Sequence, residues 1–327
     1  MNWLIHKIHR VVFFRTPIGE VWSILYGLYL HLRFSFNDRS PGKDRAKLTY
    51  YLTKHCHILE KGLALPAPRA GFGQKQIIDL IEKTRSYESL HGKDTVTKVV
   101  RDTIREYISF HEKNPHALPR EFLCLILGFV EEEESAGKGG LKTLEKKMWG
   151  SYSLETFKHF LTCRHSVRDF SNTPIGDATI QEIVHVALNT PSVCNRQGWM
   201  IHYYNNEAEI KTLLGYQNGN AGFTDCINRL LIVTGNIKAF TRYEHNQLFV
   251  DGGLLSMNIM LALHSAGLGS CPLNTCMPSY KEEILKKAAK IPMNEKLIMM
   301  IAVGSLKDKF SVTQSDRYEL DHVLKAH

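Results

Sequence analysis

The sequence predicts an α+β protein, with an all-helical region over residues 1–150 and a mixed α/β unit over residues 151–327. Three observations carry that expectation. Apolar residues recur at helical spacing through the first half. The stretch Ser135-Ala136-Gly137-Lys138-Gly139-Gly140, whose glycines make order costly in backbone entropy, reads as a linker. Beyond it, short apolar runs of strand length alternate with helical segments. A chain of 327 residues is long enough for two such units.

Met1 to Phe36 is rich in Trp, Phe, Leu and Tyr but is interrupted by Lys7, Arg10, Arg15, Glu20 and Arg33, so it lacks the clean apolar run of a signal peptide. Its longest uncharged stretch, Val21 to Leu32, falls short of the ~20 apolar residues of a spanning helix. Two readings stand: a segment lying on a membrane or partner, or a helix packed on its own domain. Asn37 to Arg45 reads as a loop. Lys47 to Gly62 has Leu48, Tyr51, Leu52, His55 and Leu59 on one side, and Pro66, Pro68, Gly71 and Gly73 end that helix. The segment His57 to Gly73 reads either as a lid or as a packed turn. Gln76 to Leu90, Thr95 to His111 and Arg120 to Glu134 continue the helical pattern, and a short charged helix is expected over Leu141 to Met148.

In the second half, Asp177 to Leu188 reads as a helix with an acidic first turn. Trp199 to Tyr204, Leu230 to Thr234 and Leu297 to Val303 read as strands. Gly253 to His264 is apolar nearly all round, within a run from Gly252 to Tyr280 that has no Asp, Glu, Lys or Arg. A helix without a solvated face is covered by a core or by a second subunit.

The net charge is +8, with eight Lys/Arg against three Asp/Glu in the first fifty residues. That excess suits an anionic partner, or is simply a solvated basic face. Dispersed basic residues without zinc-finger spacing or an RNA-binding aromatic motif argue against nucleic acid. Seven scattered cysteines and no CxxC pair fit a reducing cytoplasm and no zinc ribbon. His55-Cys56-His57 is a poor metal site on a helix, because adjacent side chains diverge by about 100°.

Two motifs carry chemistry. In Arg164-His165-Ser166-Val167-Arg168, two guanidinium forks and a hydroxyl suit phosphate oxygens. Arg164 and Arg168 share a face whether the segment is helical or extended. The loop Pro191-Ser192-Val193-Cys194-Asn195-Arg196-Gln197-Gly198-Trp199 can aim amide groups at a planar polar heterocycle. Cys194 beside it, and the pair Cys271 and Cys276, are candidate redox thiols or small buried apolar residues.

These motifs, with Ala266 to Asn274 and with Gly304 and Arg317 after the last apolar strand, resemble the FMN-dependent nitroreductase family over about residues 160–327. The resemblance implies a mixed sheet flanked by helices, and a homodimer with its sites at the interface. It implies that Arg164, His165, Ser166, Arg168 and Arg317 hold the FMN phosphate and ribityl chain. Pro191, Ser192, Asn195 and Gln197 would approach the flavin from the other subunit, and Pro272, Leu273 and Asn274 would lie along its ring. Gly198 stands where many members have Pro, and Ser315 where many have Lys.

The implied activity is hydride transfer from NAD(P)H through FMN to a small organic acceptor, with no side chain named as catalytic and no metal. The alternatives are a specialised flavoenzyme that fragments its flavin or oxidises a modified peptide or sugar, and a membrane-surface or partner-binding protein with a degenerate flavin domain. Residues 1–150 receive no role from the resemblance.

Overall fold

The computed structural model describes residues 17–113, 118–148, 150 and 152–327. Of the Met1–Phe36 segment, residues 1–16, with Lys7, Arg10 and Arg15, lie outside the described residues. Among the described residues, five helices form the first half: α1 (Pro17–Phe34), α2 (Arg45–Leu63), α3 (Gln74–His91), α4 (Thr95–Lys113) and α5 (Arg120–Glu131). The Asp44 side chain caps α2 by accepting from the Lys47 N–H. Leu48, Tyr51, Leu52 and Leu59 of α2 join Ile77, Leu80, Val100, Ile104 and Phe129 in one core. The turn after α2 is packed: Tyr107 Oη donates to the Phe72 carbonyl, and the Gly71 N–H donates to His111.

Helix α5 stops at Glu131, short of Glu134, because its end is drawn onto two arginines of α4. The fully buried Arg101 pairs with Glu88 at 2.5 Å, Glu132 at 2.9 Å and Glu133 at 3.5 Å, while Arg105 caps the Val130 and Glu133 carbonyls.

The glycine stretch is not a loose linker. The Asp102 carboxylate accepts from Ser135 Oγ at 2.8 Å and from the Ala136 and Lys138 N–H groups at 3.1 Å each. Glu60 Oε1 accepts from the Gly140 N–H at 3.1 Å. A Cβ on Gly139 would lie 2.4 Å from the Val99 carbonyl oxygen, so glycine here permits close approach to α4. The helix expected over Leu141 to Met148 is a single 3₁₀ turn, Lys146–Met148, whose exposed residues bury no face.

The second half holds α6 (Leu154–Cys163), β1 (Phe170–Ser171), α7 (Asp177–Ala187), β2 (Trp199–Tyr204), α8 (Glu207–Leu214), β3 (Arg229–Asn236), α9 (Gln247–Ser265), β4 (Leu268–Leu273), α10 (Ser279–Ala288), β5 (Glu295–Leu306) and α11 (Leu320–Val323). Strand β5 is central and pairs antiparallel with β1, β3 and β4, while β2 extends the sheet beyond β3. A parallel bridge joins Ser166 to Ser270 beside β4.

Strand alternation explains the layers. Leu230, Ile232, Met300 and Ala302 face a core shared with α8 and α10, whereas Leu231, Val233, Ile301 and Val303 face α7 and α9. Both faces are covered, which is why β3 and β5 read as continuous apolar runs.

Among the described residues, α9 is the one helix long and apolar enough to cross a membrane; it is instead the central sheet-covering helix, with Leu255, Ile259 and Leu263 inward. Its outer row, Phe249, Val250, Leu254 and Met257, is exposed. Helix α1 rests on the second half through Ser23 to Ser279 and His31 to the Thr241 carbonyl, leaving Ile18, Val21, Trp22, Ile24 and Leu25 each more than half exposed.

Candidate functional site

Helix α6 ends at Cys163, and Arg164 leaves it in an extended conformation. From there the chain runs beside β4, with the Val167 N–H donating to the Ser270 carbonyl at 3.0 Å. Val167 is buried in the core below the sheet. Alternation therefore turns Arg164, Ser166 and Arg168 the other way, as their even spacing requires. Together with His165, Leu161 and Thr162 they line a cleft of about 620 Å³, closed on its far side by the tail residues Thr313 to Arg317. Arg164, Arg168 and Arg317 bring three guanidiniums into it, against the single carboxylate of Asp316.

Arg164 Nη1 is buried and has no hydrogen-bond partner among the described residues. A guanidinium N–H withdrawn from water and left unpaired is unfavourable unless a ligand accepts from it. Among the described residues, the Arg168 side chain reaches only the Ser166 carbonyl, at 3.4 Å, and Arg317 the Ser315 carbonyl, at 2.7 Å. Nearby, burial and then the charges of Arg164 and His165 hold the His264 imidazole below its ordinary value, against the raising effect of a hydrogen bond it donates to the Phe160 carbonyl.

The Pro191–Gln197 loop is built differently. Cys194, Asn195 and Gln197 all have φ near +50° (49°, 52° and 51°), a conformation that non-glycine residues rarely adopt. Four contacts hold it. Ser192 Oγ accepts from the Gln197 N–H at 2.9 Å, and the buried Asp251 carboxylate accepts from the Val193 N–H at 3.3 Å. Arg196, fully buried, makes a two-pronged pair with Glu244 at 2.9 and 2.6 Å, and donates to the Val193 carbonyl at 3.2 Å. Burial pushes the Asp251 carboxyl up. Burial alone would raise Glu244 too, but the Arg196 fork and the Thr241 N–H overcome it and hold that carboxyl at about 2.

Asn195 and Gln197 do not open on the arginine cleft. They line a second cavity of about 410 Å³, whose remaining walls come from the helical region: Thr53, Cys56 and Glu60 of α2, Thr95, Val96 and Val99 of α4, and Lys138. Leu273 is turned into the core below the sheet, while Pro272 is half-buried and Asn274 exposed at the end of β4. Gly198 is explained by contact: a Cβ there would lie 2.5 Å from the Ala239 Cβ. Cys271 and Cys276 are both free thiols, the first buried and the second exposed. His55, Cys56 and His57 diverge toward Asp38, the core and Glu60.

Glu244, Asp251 and Lys138 were not legible as site residues. The lone acid Asp251, one residue before the charge-free run, is the signal that could have pointed to the loop's buried support.

Residues 161–223 and 231–305 match the model of the nitroreductase family. A protein of Archaeoglobus fulgidus, provisionally named NADH dehydrogenase/NAD(P)H nitroreductase, is 25% identical over 173 residues, 51% of this chain and 92% of its own length. Two solved structures are similar. A nitroreductase of provisional name from Bacillus subtilis has a TM-score of 0.49 at 17% identity, over 54% of this chain and 100% of its own. Another, from Desulfovibrio desulfuricans and solved in complex with FMN, has a TM-score of 0.46 at 18% identity, over 52% of this chain and 95% of its own. With its family match and its sheet flanked by helices, the C-terminal part of this chain, over residues 161–305, is a nitroreductase-family domain.

Proposed function

We propose that residues 151–327 bind FMN and pass electrons from NAD(P)H to a small organic acceptor, as a homodimer in the cytoplasm, with residues 1–150 as a second, helical unit. The observation that carries this reading is the unpaired, buried Nη1 of Arg164 in a cleft it shares with Ser166, Arg168 and Arg317. That donor set fits a phosphate monoester: forked, permanently charged and supplemented by a hydroxyl. In this reading His165, which lines the cleft, would meet the ribityl hydroxyls, and Pro272 and Asn274, at the end of the strand that Ser270 joins to Ser166, would lie along the ring. For Leu273, whose side chain is in the core, only the backbone is left to make such a contact. The flavin, when bound, supplies the two-electron redox chemistry. The chain's own residues bind it, orient it and exclude water.

Two features support the homodimer. The exposed apolar row on α9 needs a cover. Asn195, Gln197 and the strained loop carrying them line a cavity separate from the arginine cleft, so a second copy is what brings the two halves of the flavin site together. Pro191 and Ser192 approach with the same loop.

The purified full chain is expected to show flavin absorption, about one FMN per chain, that bleaches on adding NAD(P)H under anaerobic conditions. A colourless chain that gains no visible band when FMN is supplied removes this reading.

A second reading concerns α1. It is apolar nearly all round, yet one face is uncovered, with Trp22 and Leu25 more than half exposed and Arg33 at its end. That face, in a tract rich in Lys/Arg, suits peripheral contact with an anionic lipid surface. Trp22→Glu with Leu25→Glu is expected to release the chain from vesicles containing phosphatidylglycerol. Equal co-sedimentation of the variant and the parent chain eliminates this contact.

A further inference from the structure

We propose that the 410 Å³ cavity between the helical region and the Asn195–Gln197 loop is a binding site for a small anionic organic acceptor, with Lys138 as the cation that holds it. This rests on the flavin reading above for its redox role, though not for the binding itself.

The cavity is a built feature. Its floor is a loop kept in a strained conformation by buried polar contacts, and such strain concentrates at ligand sites. Gln197 Nε2 donates to the Asn195 carbonyl and Oδ1, at 3.3 and 3.2 Å. This leaves Gln197 Oε1 and Asn195 Nδ2 without a protein partner among the described residues, one acceptor and one donor at the cavity floor. The opposite wall is fixed with equal care. Lys138 lies in a segment tied down on both sides, by Asp102 at its own N–H and by Glu60 at the Gly140 N–H, with Gly139 pressed against Val99.

Charge selects the ligand. Glu60 is already committed to the Gly140 N–H, to the Thr103 hydroxyl at 3.5 Å and to the His57 ring at 3.5 Å. The Lys138 ammonium enters no ion pair among the described residues. Glu60 is anionic, but its oxygens already accept from the groups just named, so Lys138 is the charged group at this cavity left to pair with a ligand, beside two amides and Val96 and Val99 of α4. An anionic group on an otherwise planar, partly apolar molecule complements that wall. Cys56 plays no covalent part: burial pushes its thiol up, so it stays protonated. The helical region thus supplies recognition, and the nitroreductase-family domain supplies the cofactor.

The test is calorimetric titration of the full chain with 4-nitrobenzoate and with its methyl ester, which differ in charge at nearly constant shape. Wild type is expected to bind the acid about two- to fivefold more tightly, the value of one exposed charge pair. Lys138→Glu is expected to abolish that preference, Lys138→Arg to retain it, and Lys75→Glu, elsewhere on the helical surface, to leave it unchanged. Thr95→Trp, which fills the cavity without touching the supports of Lys138, is expected to weaken both ligands. Equal affinities in wild type, a preference surviving Lys138→Glu, or both ligands binding Thr95→Trp normally would each overturn the proposal. Flavin content is read separately by absorbance. A chain that holds no FMN but keeps the preference overturns the cofactor reading alone.

Discussion

Replacing Arg164 and Arg168 together by alanine is expected to give a folded chain that loses its FMN during gel filtration. Each guanidinium contributes charge-assisted hydrogen bonds to a phosphate, worth about 1.5–3 kcal/mol apiece. Their joint loss weakens binding by roughly two to four orders of magnitude. Neither residue is tied into the fold in a way that would confuse the result. Among the described residues, Arg164 Nη1 has no protein partner, and the Arg168 side chain makes one long bond to a neighbouring carbonyl. The measurement is flavin absorbance per chain after exchange into buffer, alongside thermal unfolding. Unchanged flavin content in a folded double variant rules out the arginine cleft as the phosphate site.

The second large effect is expected at the support beneath the other loop. Arg196→Met leaves Glu244 without its fork, and breaking a buried pair from one side costs about 3–5 kcal/mol. Part of that loss comes from loosening the left-handed residues Cys194, Asn195 and Gln197, which the pair helps to hold together with Ser192 and Asp251. The pH dependence follows from Glu244, whose carboxyl lies at about 2 in the folded chain against an ordinary 4.5. A depressed carboxyl stabilises the fold fully above the ordinary value, and that stability drains away as pH falls from there toward 2. Urea titrations at pH 6 and pH 3 are expected to show wild type losing more stability than Glu244→Gln over that interval. Parallel losses in the two proteins would show that Glu244 does not contribute in this way.

How much of this was legible follows from the range of each interaction. The Arg164–Arg168 face could be read because even spacing turns side chains to one side of an extended segment, whatever lies beyond it. The helices α2 to α5 were legible from their apolar stripes, and β3 and β5 from their unbroken apolar runs. Helix α6 was not recognised, although Leu154, Phe157 and Leu161 recur in it at helical spacing; in the structure it buries none of its residues. The glycine stretch misled for a physical reason. Its entropy cost is visible in sequence, but the carboxylates of Asp102 and Glu60 that offset it lie on helices formed far earlier in the chain. The cavity walled by Lys138 and Asn195 likewise depends on tertiary approach, which no local pattern encodes.

Gly198 bears on how the two halves of the chain fit together. Many nitroreductases have proline at that place, but here Ala239 and Phe240 fill the space a side chain would need. The Phe240 carbonyl receives the Phe36 N–H, and Lys238 pairs with Asp44, so the crowding segment is also the seat of the helical region. A side chain at 198 therefore fits this chain only if that seat shifts. Relatives with the helical extension should therefore carry glycine there, and relatives without it should be free to vary.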